Sequence, residues 1–121
     1  AVTQTIRDQF SHQVADIPLL LAGFSFGGAI QLHVAERLAP EFLILVAPSV
    51  VNLKAPPVPE TTQCALIIQG DQDDIVLPEA VLNWAAPASQ PVVVIPGVGH
   101  FFHGKLTILK QLILNHFSHR L

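Results

Sequence analysis

The segment Gly23-Phe24-Ser25-Phe26-Gly27-Gly28 constrains this chain more than any other. It follows the apolar run Pro18-Leu19-Leu20-Leu21-Ala22 and precedes a helical stretch from Ala29 to Leu38. A strand that passes into a helix through so few residues needs a tight turn. The glycines meet that need: a side chain at Gly23 or Gly27 is expected to clash with the helix or the adjoining strand. The serine between them is then forced into a strained, exposed position at the top of a sheet. The helix that follows points its N-terminus at the serine, where free N–H groups favour developing negative charge. The glycines do not form G-x-G-x-x-G, so a dinucleotide-binding turn is excluded. Taken alone, the string also fits an ordinary turn whose serine caps the helix.

With 121 residues the chain is expected to form a single domain, 1–121. Half of its residues are hydrophobic and 12% are charged, which suits a buried core and not a disordered chain. No apolar run reaches the roughly 18 residues of a membrane span, and no partnership with a membrane is expected. No basic segment with a cleavage site opens the chain, so a cytoplasmic location is expected. The net charge of −3, with six Lys+Arg, leaves no electrostatic footprint for nucleic acid. Cys64 stands alone in the sequence and is expected to be a small buried residue at a strand entry, with nothing cationic beside it in sequence. The lack of Met, even at position 1, suggests a portion of a longer chain.

The apolar pattern predicts the order of elements. Val2, Ile6, Phe10 and Val14 recur at i+4 on one face of an opening helix. Strands are predicted at Leu19–Ala22, Phe42–Val46, Ala65–Gln69 and Val92–Ile95. Helices are predicted from about Gly28 to Leu38, from Pro78 to about Ala86, and from Gly104 onward. In the last helix Leu106, Leu109, Leu112 or Ile113, and Phe117 form a stripe. Of the visible connections between strands, the first and last hold helices and the middle one, residues 47–63, is Pro-rich. The strands are continuous apolar runs, as expected when helices cover both faces of a parallel sheet. The predicted class is α/β, a parallel sheet of about four strands flanked by helices.

A serine hydroxyl is a poor nucleophile without a base, and the base needs an orienting acid. Both are offered just after strands, where active groups of open α/β sheets gather. Gly70-Asp71-Gln72-Asp73-Asp74 follows the third strand, and Gly97-Val98-Gly99-His100-Phe101-Phe102-His103 follows the fourth. Asp71, Asp73 and Asp74 are rival acids, and such a cluster also suits a solvated turn. His100 has His103 as its rival, the latter placed at a rim or helix start. The pairs His100/His103 and His116/His119 have i, i+3 spacing, but a zinc site would need further ligands, so no metal is expected. His12 and His33 are expected on the surface or in helix packing.

These three motifs, in the order Ser, Asp, His, resemble those of the α/β-hydrolase family, similar to its small bacterial serine hydrolases without a cap. Gly23–Gly28 resembles the nucleophile elbow. Gly70-Asp71-Gln72-Asp73 with Val76 and Pro78 resembles the acid loop, one residue longer here. Gly97-Val98-Gly99-His100-Phe101 resembles the histidine loop. The resemblance covers nearly the whole chain and implies a catalytic triad of Ser25, His100 and Asp73. It implies an oxyanion-hole donor at the Phe26 N–H and no cofactor. The implied substrate is a small acyl compound of the ester type. Phe24, Phe26, Phe101 and Phe102 are candidate apolar walls, Phe24 and Phe101 foremost, and the short 47–63 connection leaves no room for a helical lid. The family's earlier strands and its second oxyanion loop have no counterpart in this chain. The chain is therefore expected to be the C-terminal portion of the fold. Its first strand would present a bare edge that pairs with a missing N-terminal fragment or with a second copy. A fragment that folds without catalysing, as an interaction or structural unit, is the alternative.

Overall fold

The computed structural model describes residues 17–118. The opening helix expected from Val2 to Val14 lies outside the described residues, as do His12 and His119. Four strands, β1 (Leu20–Phe24), β2 (Phe42–Val46), β3 (Cys64–Gly70) and β4 (Val93–Ile95), form one parallel sheet in the order β1-β2-β3-β4. Three α-helices accompany them among the described residues: α1 (Phe26–Leu38), α2 (Pro78–Ala85) and α3 (Leu106–Phe117). A short 3-10 turn, Ala86–Ala88, extends α2.

The core follows from the period-2 alternation of strand side chains. Phe42, Ile44, Val46, Leu66 and Ile68 face one way and pack with Phe117 of α3 and Phe102. Leu43, Leu45 and Ile67 face the other way and pack with Leu32 of α1 and Val81 of α2. Both faces of β2 are thus covered, which explains a strand that is apolar at every position. The sequence of β1 is as apolar, yet Leu20, Ala22 and Phe24 are exposed. Among the described residues β1 is an edge of the sheet.

Two helix starts differ from expectation for local reasons. Helix α1 starts at Phe26, before the glycines, because the Ser25 carbonyl already accepts from Gly28 N and Ala29 N. Helix α3 starts at Leu106, because Gly104 has φ 70° and cannot be helical. In its first turn Leu106 is 65% exposed and takes no part in the expected stripe, whereas Leu109, Leu112, Ile113 and Phe117 do pack on the core. Pro78 occupies the first turn of α2, where its missing N–H costs nothing.

The Pro-rich connection 47–63 holds no helix and no strand. It is pinned to the helices beneath it. The Trp84 indole N–H donates to the Pro56 carbonyl at 3.0 Å, and His33 Nε2 lies 2.9 Å from the Leu53 carbonyl.

Candidate active site

Ser25 sits between β1 and α1 with φ 54° and ψ −120°, a conformation that costs a non-glycine residue about 1–3 kcal/mol. Backbone bonds hold it there. Its N–H donates to the Val46 carbonyl at 2.9 Å, and its own carbonyl accepts from Gly28, Ala29 and Ser49 at 3.0, 3.3 and 3.0 Å. Gly23 is required by space: a Cβ there would lie 2.5 Å from the Gly27 carbonyl oxygen. Gly27 is a correction to expectation, since a Cβ on it would meet nothing within 4 Å. Its backbone, not its own missing side chain, forms the crowded contact. Gly28 is the tighter position, with Pro48 Cβ 3.1 Å away. The Phe26 and Gly27 N–H groups, first in α1, have no intrahelical acceptor available to them.

The acid loop and the histidine loop are brought together by a close approach at Gly70, where a Cβ would lie 2.3 Å from the Val98 carbonyl oxygen. Asp73 is 3% exposed and its carboxylate is fully engaged. Oδ1 accepts from Ile75 N at 2.9 Å and Val76 N at 2.8 Å. Oδ2 accepts from Gln69 Nε2 at 3.3 Å and lies 2.7 Å from His100 Nδ1. Such bonds offset the cost of burying a charge. His100 is also buried, and its Nε2 lies 3.0 Å from Ser25 Oγ. One chain of contacts therefore runs Asp73, His100, Ser25.

The rival acids have other places. Asp71 Oδ1 accepts from Gly97 N at 2.7 Å and so ties the acid loop to the histidine loop. Asp74 is exposed. His103 is exposed as well, its ring 6.1 Å from that of Phe101. Two of the candidate phenylalanines flank the imidazole: the Phe24 ring at 5.0 Å and the Phe101 ring, edge-on, at 4.9 Å. Phe26 is 54% exposed. Phe102 is not a wall of the site. Its φ of 56° turns the chain so that its ring, 1% exposed, drops into the core and anchors the histidine loop.

Gln69 was not anticipated. It is the penultimate residue of β3 with 0% exposure, and its Nε2 donates to the Gly70 carbonyl, the Val76 carbonyl and Asp73 Oδ2. Its Oε1 has no partner. The sequence signal was present: one polar residue ends the run Cys64-Ala65-Leu66-Ile67-Ile68, just where a sheet delivers its functional groups. At the other end of β3, Cys64 is buried as expected, but folding brings His116 Nε2 within 2.8 Å of its sulfur. Among the described residues no group of three or more His, Cys, Asp or Glu could hold a metal ion.

The chain is similar to a solved α/β serine hydrolase without a lid from Xanthomonas campestris, with 33% identity and a TM-score of 0.77 over 96% of this chain. It is also similar to an α/β serine hydrolase homologue from Coxiella burnetii, with 34% identity and a TM-score of 0.71 over 93% of this chain. It spans 54% and 55% of those two chains, about half of each. No family model matches the chain, and no curated protein does. The parallel sheet, its flanking helices and these likenesses together define part of an α/β-hydrolase fold. Among the described residues no helix is long and apolar enough to cross a membrane.

Proposed function

We propose that this chain is the catalytic, C-terminal portion of a serine hydrolase that acts on ester-type carbonyls. The observation that carries the proposal is the contact chain from Asp73 through His100 to Ser25 Oγ. Ser25 Oγ attacks the carbonyl carbon while His100 Nε2 takes its proton, and Asp73 holds the imidazole by Nδ1. The tetrahedral oxyanion is met by the Phe26 N–H at the positive end of α1. His100 then gives its proton to the leaving oxygen, which departs as the alcohol. Water, deprotonated by His100, attacks the acyl-serine and releases the acid and free Ser25. No step calls on a cofactor. Phe24 and Phe101 bound the site and keep water from the imidazole.

A second oxyanion donor and a neighbour for β1 belong to the same proposal, supplied by a preceding segment of the parent protein. The exposed Leu20 and Phe24 of the edge strand favour it, because a bare apolar edge pairs readily. In isolation the chain would then self-associate through β1. A clean monomer of about 13 kDa by light scattering would count against this. The catalytic reading is tested by a fluorophosphonate probe and mass spectrometry of the adduct, on this chain and on its full-length parent. A label on Ser25 is expected in the parent. Absence of label from Ser25 in both would end the hydrolase reading, and label in the parent alone would leave this chain as a folded, inactive half.

A further inference from the structure

Strand alternation puts Gln69 on the same face of β3 as Ile67, the face that packs with Leu32, Val76 and Val81. A primary amide in apolar surroundings costs stability unless both of its ends are bonded. Here one end is. Oε1 has no partner, while Nε2 has three acceptors: the Val76 carbonyl at 2.9 Å, the Gly70 carbonyl at 3.1 Å and Asp73 Oδ2 at 3.3 Å. The amide nitrogen carries two hydrogens, so three acceptors share them. Turning the amide over would aim Oε1 at the same three oxygens, which repulsion forbids. Gln69 is thus oriented for donation alone, at the cost of its own carbonyl.

The carboxylate of Asp73 shows what the donation serves. Its two oxygens are held by different means. Oδ1 accepts two backbone N–H groups of its own loop, from Ile75 and Val76. Oδ2 has no backbone donor; its partners are His100 Nδ1 at 2.7 Å and Gln69 Nε2. With Oδ1 as the pivot, the bond from Gln69 sets the rotation of the carboxylate plane. It thereby sets the direction from which Oδ2 meets the imidazole. The bonds to the Gly70 and Val76 carbonyls hold the two ends of the loop that carries Asp73 against the end of β3.

We propose that Gln69 is a positioning residue of the reaction, acting through Asp73. It keeps the carboxylate ionised and aimed at His100 Nδ1, so that Nε2 faces Ser25 Oγ when the proton is transferred. The proposal rests on the serine-hydrolase reading above. Gln69 is fully buried and cannot touch a substrate. Its effect therefore falls on kcat, with KM unchanged.

The test is a double-mutant cycle in the full-length protein, with 4-nitrophenyl acetate as the ester. Gln69→Leu alone should lower kcat about tenfold, and Asp73→Asn about 10⁴-fold. If Gln69 acts through Asp73, the double variant should be no slower than Asp73→Asn. A residue that only supports the scaffold would multiply the two losses, to about 10⁵-fold. Gln69→Met, unbranched and without a donor, is the second variant and should give the same pattern. Nuclear magnetic resonance supplies the other readout. The proton between His100 Nδ1 and Asp73 Oδ2 should resonate far downfield, and it should move or broaden in both Gln69 variants. Losses that multiply, a rise in KM in place of the fall in kcat, or an unmoved proton resonance overturns the proposal and leaves the hydrolase reading intact. Failure of a fluorophosphonate to modify Ser25 in the wild-type protein overturns the hydrolase reading itself, and the role of Gln69 with it.

Discussion

At the carboxyl end of the sheet Gln69, Asp73 and His100 are buried polar groups, and Ser25 holds a positive φ. At the amino end the strands begin with Leu20, Phe42 and Cys64, and the polar contacts there are Cys64 with His116, Leu19 N donating to Glu41 Oε2 and Thr62 Oγ1 donating to the Pro40 carbonyl. The same strands supply both ends. One end holds strained backbone and desolvated polar groups, which reduce stability unless their neighbours fix them. The other gains from ordinary apolar packing. Substitutions at the carboxyl end should therefore change chemistry more than stability, and those at the amino end the reverse.

The largest effect expected is at Ser25. In the full-length protein Ser25→Ala should lower ester hydrolysis by about 10⁶-fold. Its urea melt should stay within about 0.5 kcal/mol of the wild type. A melt that collapsed with the activity would make the elbow a structural turn and erase the contrast between the two ends. Asp73→Asn comes next. It keeps the shape but offers the wrong hydrogen-bond partner to His100 Nδ1, and kcat/KM should fall by about 10⁴-fold. Retained rate in this variant would move the acid role to Asp71 or Asp74.

Gln69→Leu sharpens the comparison, because Gln69 is both deep in the fold and bonded to Asp73. Losing one charge-assisted bond at the acid should cost about tenfold in kcat. Stability should drop by about 1–3 kcal/mol as the Val76 and Gly70 carbonyls lose a donor. A loss of stability with kcat unchanged would confine Gln69 to the scaffold. The smallest effect belongs to the amino end: Cys64→Ala should reduce stability by about 1 kcal/mol by chemical denaturation and leave kcat/KM as it was. Any loss of activity in that variant would show that the two ends are coupled through β3.

The parts legible in the sequence are those where backbone geometry restricts the residue type. Gly23 is demanded by the Gly27 carbonyl and Gly70 by the Val98 carbonyl, so the elbow and the acid loop declare themselves as short strings. The inner strands β2 and β3 were equally plain, because covering on both faces makes them continuously apolar. What the sequence left open depended on side-chain direction. Asp71, Asp73 and Asp74 are alike on paper, and only the turn that aims Asp73 at Ile75 N, Val76 N and His100 separates them. Phe101 and Phe102 are adjacent and identical, yet the positive φ at Phe102 sends one ring to the imidazole and the other to the core. Gln69 went unnoticed because its role exists only once the loop 70–76 folds back over the end of β3. Leu106 misled because helical spacing takes no account of where the sheet beneath the helix stops.

Trp84 is the one tryptophan of the chain, and its half-buried indole N–H is bonded to Pro56 of the Pro-rich connection. That places a single intrinsic fluorophore at the seam between α2 and the segment that carries Ser49 to the Ser25 carbonyl. Its emission would shift to the red if that segment lifted and the ring met water. The molecule thus carries its own optical gauge of loop seating, set apart from the reacting groups and readable without added dye.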